Sequence, residues 1–314
     1  MKQENGFALG TTYSIKYEVP SDTIDLGNAI EQVFTVVNNS MSTYLPTSQV
    51  SRVNRGDSAV VVDSYFQEVY HMSKKIWEET EGAFDPTVGS LVNAWGFGPE
   101  EAIKNIQQRQ IDSILQLVGM DKVKLTEKGT IIKKSPHVFL DFNAIAKGYT
   151  IDLLGALLES KGIENYLIEL GGEILTRGKN TRLVKNWVVA IDHPLQQENE
   201  RKLIAKVKLE DKAMATSGNY RKYRVDDKTG ELYVHILNGK TGYPQKSNVL
   251  SVSVVAPTCM EADAYATAFM IMELDKTKAL LKRLPHVEAY IIISDKEGDI
   301  QKFVTRGFQE LLIE

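Results

Sequence analysis

Apolar residues along this chain recur at two different periods, and the changes between them mark out its elements. Leu9 to Val19 alternates apolar and polar positions as a half-buried strand does. It follows a start, Met1-Lys2-Gln3-Glu4-Asn5, too polar for a signal peptide. Ile30, Val33, Phe34 and Val37 then recur at helical spacing, in a helix that Ser21 or Asp22 can cap. Ser48 to Asn54 predicts a helical turn and Ala59 to Val62 a short strand. Asp63 caps an amphipathic helix carrying Phe66, Val69, Tyr70, Ile76 and Trp77. Residues 99–118 predict another helix, with Ile106, Ile111, Ile114 and Leu115 inward. Phe139 and Leu140 end a strand. From Ala144 a helix presents Ile145, Tyr149, Leu153 and Leu157 on one face, with Asp141 and Asn143 placed to cap its start.

The second half is largely sheet, with strands expected at 165–170, 173–176, 187–191, 203–209, 214–216, 220–223, 234–237 and 250–255. Helices at 260–272 and 276–284 and strands at 289–293 and 300–303 close the chain. There is no internal repeat, low-complexity tract or Pro- or Ser-rich linker. The pattern predicts one domain over residues 1–314, two lobes built on a continuous sheet-rich core.

Composition narrows the function. The 314 residues are 43% hydrophobic, enough for a substantial core, and carry a net charge of −4 with scattered cations. This balance gives no support to a nucleic-acid or an anionic-membrane surface. A single cysteine, Cys259, excludes an internal disulfide, and no run is long enough to span a membrane.

Four stretches carry candidate chemistry. Around Lys147-Gly148 a phosphate could meet both a helix dipole and an ammonium. Gly82 to Gly98 mixes Phe84, Trp95 and Phe97 with glycines; it can line a flat ligand or pack as a core loop. Asp263 and Thr267 stand four apart on a helix, so a carboxylate and a hydroxyl project together. They can hold a hard cation such as magnesium, or Asp263 can simply favour the helix N-terminus. His235 ends a strand before Asn238-Gly239-Lys240-Thr241-Gly242, a turn able to present N–H groups and a lysine to phosphate or to serve as an ordinary hairpin turn. A further polar turn, Ala215 to Arg221, and the Gly171-Gly172 corner can also meet a ligand. The common nucleotide-binding glycine loops and the Gly-x-Ser-x-Gly hydrolase motif are absent.

Taken in order, these blocks resemble the ApbE family of FAD:protein FMN transferases, or flavin-trafficking proteins. The matching blocks are Gly10-Thr11-Thr12-Tyr13, Met41 to Asn54, Gly-Ala-Phe-Asp-Pro-Thr from Gly82, and Asn-Ala-Trp-Gly-Phe-Gly to Gly98. They continue through Ala-Ile-Ala-Lys-Gly-Tyr to Tyr149, Glu169 to Gly172, Ala-Thr-Ser-Gly-Asn-Tyr-Arg to Arg221, His235 with Lys240-Thr241-Gly242, and Glu261 to Thr267.

The resemblance implies an α+β, T-fold-like, two-lobed architecture that binds FAD between its lobes with Mg2+ at the pyrophosphate. The implied reaction moves FMN from FAD to a threonine or serine hydroxyl of an acceptor protein, releasing AMP. The implied acceptor is an FMN-carrying subunit of a membrane redox complex, and the implied location extracytoplasmic with a lipid anchor. Residue by residue, it implies metal binding by Asp263, Thr267 and the Ala144 backbone carbonyl, and catalysis by His235. Flavin packing falls to Tyr44, and further FAD contacts to Leu9, Ala83, Phe84, Asp85, Trp95, Lys147, Glu169, Gly171, Gly172 and Ser217. Tyr44 favours transfer over the alternative of an FAD pyrophosphatase; a non-catalytic flavin binder is the other reading. Two positions depart from the family pattern: Leu9 stands for a usual methionine, and Asn238-Gly239 for a usual Asp-Pro, which puts in question a pyrophosphate role for that turn.

Overall fold

The hairpin that opens the chain carries the first departure from these expectations. The structure, a computed structural model, describes residues 1–19, 25–196, 202–218, 223–225, 232–245 and 247–313, with the backbone alone for 223–225 and 232–234. Strands β1 (Lys2–Ala8) and β2 (Thr11–Tyr17) pair antiparallel, with Ala8 opposite Thr11. The intervening Leu9-Gly10 turn has φ of 49° and 76°, the left-handed pair whose twist suits a two-residue hairpin. Leu9 therefore belongs to the turn and not to the strand. The polar start forms an edge strand that hydrophobic pattern does not signal, because its half-covered positions are Lys2, Glu4, Gly6 and Ala8.

Helix α1 (Gly27–Met41) buries Ile30, Phe34 and Val37 and begins at Leu26 without a side-chain cap. The expected caps Ser21 and Asp22 lie outside the described residues. Ser48 caps α2 (Gln49–Asn54) by accepting the Ser51 N–H, and Asp63 caps α3 (Ser64–Glu79), as expected, by accepting the Phe66 N–H. Residues 59–62 form only an isolated bridge from Val61 to Thr130. The glycine-rich loop contains the short α4 (Gly89–Ala94). Of the helix expected over 99–118, only α5 (Gln108–Leu115) forms: Ile103 donates its N–H back to the Ala94 carbonyl, and Asn105 takes a left-handed φ of 53°, which breaks helical continuity.

Strands β3 (Val123–Leu125) and β4 (Ile131–Lys133) make an unanticipated small hairpin. Phe139-Leu140 is not part of a strand; Leu140 is fixed by the Asn54 side chain, which accepts its N–H and donates to its carbonyl. Helix α6 (Ala146–Ser160) follows, then β5 (Tyr166–Leu170), β6 (Glu173–Arg177), β7 (Trp187–Asp192), β8 (Leu203–Leu209), β9 (Ala213–Gly218), β10 (Tyr223–Val225), β11 (Leu232–Val234) and β12 (Val249–Ala256). Helices α7 (Cys259–Ile271) and α8 (Leu274–Leu281), strands β13 (Glu288–Ser294) and β14 (Ile300–Val304), α9 (Arg306–Gln309) and β15 (Leu312–Ile313) complete the chain.

An eight-stranded antiparallel sheet runs β1-β2-β5-β6-β9-β12-β13-β14, and a three-stranded sheet runs β15-β8-β7. Period-two alternation sends neighbouring residues to opposite faces. Val254 and Ile291 join α3 and α7 in one core, while Val255 and Ile292 pack against Val189, Val207 and Leu209 of the small sheet. Ile15, Ile168 and Leu175 pack with Ile30 and Phe34 of α1 and Ile151 and Leu154 of α6. The main sheet thus separates helices on one face from the small sheet on the other.

Candidate active site

Two helix starts and two hairpin turns meet at one cleft of about 770 Å³. On one wall the Leu9-Gly10 turn abuts the Gly171-Gly172 turn, whose φ values of 64° and 104° form a second left-handed pair. Gly171 donates its N–H to the Thr12 carbonyl at 3.0 Å, and a Cβ on Gly171 would come within 2.8 Å of the Thr11 methyl. Glycine is required there both by φ and by space.

The floor is the crossing of α6 and α7. A Cβ on Gly148 would stand 2.3 Å from the Cys259 carbonyl oxygen and 2.9 Å from the Asp263 Cβ. This close approach lets Asp263 reach across and accept the Gly148 N–H at 3.1 Å, capping a helix that lacks a side-chain cap of its own at Ile145. The reverse contact also exists. Asp152 of α6 accepts the Cys259 and Met260 N–H groups, each at 2.8 Å, while Thr258 caps the same helix locally. Asp141 does not cap α6, which begins at Ala146 and not Ala144. It accepts the Asn143 N–H at 2.8 Å and holds the preceding turn.

The expected meeting of a helix dipole and Lys147 at an anion is therefore partly filled from within. The Gly148 N–H is taken by Asp263, and the Lys147 ammonium is ion-paired with Glu173 at the start of β6. Burial pulls the Lys147 ammonium down, but the charges of Glu173 and Asp263 outweigh it and hold the group above the ordinary lysine value. Burial pushes the Asp263 carboxyl up to about 6, against the attraction of Lys147. Glu173 is buried, lines the cleft, and leaves Oε2 without a hydrogen-bond partner among the described residues. Sequence reasoning missed it; its signal was a carboxylate placed directly after a double glycine, where a two-residue turn aims the first strand residue back at the turn's neighbours.

Asp263, Thr267, Ala144, Lys147, Ser217 and His235 all line the cleft. Thr267 and Ser217 stand 3.4 Å apart, hydroxyl to hydroxyl. Asp263 Oδ2 carries the Gly148 bond, and no hydrogen bond to Oδ1 is made by the described residues. A carboxylate, a hydroxyl and a backbone carbonyl region facing one space are hard oxygen donors, and the set fits a magnesium ion.

The opposite wall comes from Ala83, Phe84, Asp85, Val88, Val92 and Phe97. Phe84 and Asp85 are buried; Asp85 accepts from Trp77 Nε1 at 2.9 Å and from the Thr87 N–H and hydroxyl, and burial nonetheless pushes its carboxyl up. Tyr44 stands at the mouth, 60% exposed, its hydroxyl donating to the Phe97 carbonyl at 3.4 Å. Burial and the charge of Asp141, a buried cleft residue outside the expected set, raise its phenol.

Leu9 and Gly171 also line the cleft; Trp95, Glu169 and Gly172 do not. Trp95 donates Nε1 to the Gly242 carbonyl at 2.8 Å and packs on Tyr243, whose hydroxyl donates to Gln108 of α5 at 2.6 Å. Glu169 accepts the Gly172 N–H at 2.8 Å, so both serve the turn. The Asn238 turn does not present its N–H groups to the cleft. Asn238 Oδ1 accepts those of Lys240 and Thr241, and its carbonyl accepts that of Gly242. Of the Ala215 to Arg221 stretch, residues to Gly218 form β9 and the rest lie outside the described residues.

Known proteins resemble this chain in sequence and in fold. A sequence model of the ApbE family matches residues 9–291. The chain is 35% identical over 309 residues to an FAD:protein FMN transferase of Haemophilus influenzae, covering 95% of this chain and 88% of that protein. It is 34% identical to one of Vibrio cholerae, covering 98% and 92%. The structure superposes on that of a Vibrio cholerae flavin transferase ApbE with TM-score 0.87 and 32% identity, covering 99% of both chains. It superposes on the apo flavinyl transferase ApbE of Pseudomonas stutzeri with TM-score 0.85 and 28% identity, covering 99% of this chain and 96% of that one.

Proposed function

The chain belongs to the ApbE family, and from that premise we propose that it transfers FMN from FAD to a hydroxyl of an acceptor protein. The observation that carries this reading is the single cleft that gathers Asp263, Thr267, Lys147, His235 and Tyr44 from chain-distant segments. Beyond transfer itself, we propose a magnesium requirement, AMP as the second product, and a threonine or serine of a membrane redox subunit as the acceptor.

Magnesium, held by Asp263, Thr267 and the Ala144 carbonyl, would neutralise charge on the pyrophosphate oxygens. The chain's own groups do the rest. Lys147, kept charged by Glu173, sits where it can hold a phosphate oxygen. His235 lies on the cleft wall as the base for the incoming hydroxyl. Tyr44 and Phe97 at the mouth offer aromatic surface to the isoalloxazine ring, and the Asp85 wall buries one side of the ligand. Tyr44 is the feature that favours transfer over hydrolysis.

The test is incubation of the chain with FAD, Mg2+ and a candidate acceptor subunit. A fluorescent, covalently labelled acceptor band, with AMP in solution, is the expected result. Consumption of FAD with no label on the acceptor would make the chain a pyrophosphatase, and FAD bound without turnover would make it a carrier. His235→Ala is expected to keep FAD binding and lose transfer.

A further inference from the structure

The fold gathers cations that look dispersed along the chain. From Arg177 to Lys185 there are four basic residues and no acidic one, and β8 adds Lys206 and Lys208. Arg177 is paired with Glu159; Lys179, Arg182, Lys185, Lys206 and Lys208 are exposed and make no ion pair among the described residues. All five stand on one side of the molecule. Residues 178–186 link β6 to β7, and Trp187 at the start of β7 is opposite Leu209, so the loop overhangs the end of the small sheet. On the outward face Val188 pairs with Lys208, Ala190 with Lys206, and Ile313 with Lys206. Two carboxylates stand at the loop base, where Asp211 accepts the Gly178 N–H and Glu210 the Asn186 amide, and neither forms an ion pair with the five cations among the described residues.

At the tip of this loop are the large hydrophobics Leu183 and Val184, 63% and 85% exposed. The tip is built and not slack. Asn180 and Lys185 exchange backbone hydrogen bonds, Leu183 donates to the Asn180 carbonyl and side chain, and Val184 donates to Thr181. Val184 is held at φ 51°, a left-handed conformation that a β-branched residue strongly disfavours. A strained turn that keeps two apolar side chains in water, ringed by unpaired cations and continuous with Val188 and Ile313, has the chemistry of an interfacial anchor. Apolar tips enter the acyl boundary while lysine and arginine meet anionic headgroups.

We infer that the 179–185 hairpin and the outward face of β7, β8 and β15 dock the protein on an anionic lipid surface. The small sheet lies on the face of the main sheet opposite α7, so docking there leaves the cleft unobstructed. This placement does not depend on the flavin reading.

The test uses the full chain and extruded vesicles of phosphatidylcholine alone or with one-third phosphatidylglycerol. The chain should sediment with the anionic vesicles only and be released by salt. Leu183→Ser/Val184→Ser and Lys179→Ala/Arg182→Ala/Lys185→Ala should each weaken binding by about tenfold or more with no fall in melting temperature and unchanged FAD turnover. Because the one cysteine, Cys259, is buried, Val184→Cys can be labelled at that site alone with an environment-sensitive dye, whose emission should shift blue on anionic vesicles. Failure to bind anionic vesicles, equal binding to phosphatidylcholine, or undiminished binding by both variants would overturn the inference. So would variants that bind vesicles normally but lose labelling of an acceptor, which would assign the hairpin to a protein.

Discussion

The starts of α6 and α7 lie against each other, and each takes a carboxylate from the other helix, yet the two arrangements differ. At α7, Asp152 and Thr258 together satisfy the first N–H groups, and Asp152 is absent from the cleft lining. At α6 there is no local cap, and Asp263 supplies one with Oδ2 while the same side chain lines the cleft. One carboxylate is private to the scaffold; the other is shared between scaffold and site. The carboxylate proposed to hold magnesium is also a helix cap, so its orientation is set by the backbone it caps, which is preorganisation of the kind a site needs.

The change that would break the comparison outright is Gly148→Ala. The added Cβ forces α6 from α7, breaking both caps at once, and should cost about 3 kcal/mol in denaturant unfolding. Asp263→Ala separates the two roles: turnover should fall about 100-fold with loss of the magnesium response, while unfolding loses only about 1 kcal/mol. A stability loss as large as that of Gly148→Ala would show that the cap is its main role. Glu173→Gln removes the charge that steadies Lys147 and should raise the KM for FAD about tenfold with little change in kcat, as steady-state kinetics would show. Asp152→Ala should cost about 1 kcal/mol of stability and leave transfer within a factor of about two; a larger kinetic effect would mean that α7's position, and not only Asp263, is limiting.

The smallest effect is on pH dependence. Burial raises Asp152 to about 7 and Asp263 to about 6 from an ordinary value of 3.8. The native chain therefore binds more protons than the unfolded one between these values, so stability falls as pH rises from about 4 to 7. The proposed magnesium would need the charged form of Asp263, so any stabilisation by the ion should grow as pH rises through about 6. Thermal melts with and without the ion across this range would show both trends.

Legibility followed the physics of each signal. A helix with an apolar stripe and a local cap, such as α3, is legible because stripe and cap are both local. β1 was not, since an edge strand needs no apolar alternation, and the helix over 99–118 was overextended because only tertiary contacts reveal where it ends. In the site, Asp263, Thr267 and Lys147 could be singled out by type and spacing, and the order of blocks carried the family. Glu173 and Asp141 could not, because their importance lies in burial beside residues distant in sequence. Lys147-Gly148 suggested an anion site; the glycine instead answers a helix crossing.

Trp95, Tyr243 and Gln108 come from three separate segments, and their two hydrogen bonds and one ring contact fasten the glycine-rich loop, the 238–243 turn and α5 to one another. In dynamic terms this makes the far side of the cleft a single clasp. An opening at this fastening must loosen all three segments together, and hydrogen exchange at the Trp95 indole would report it.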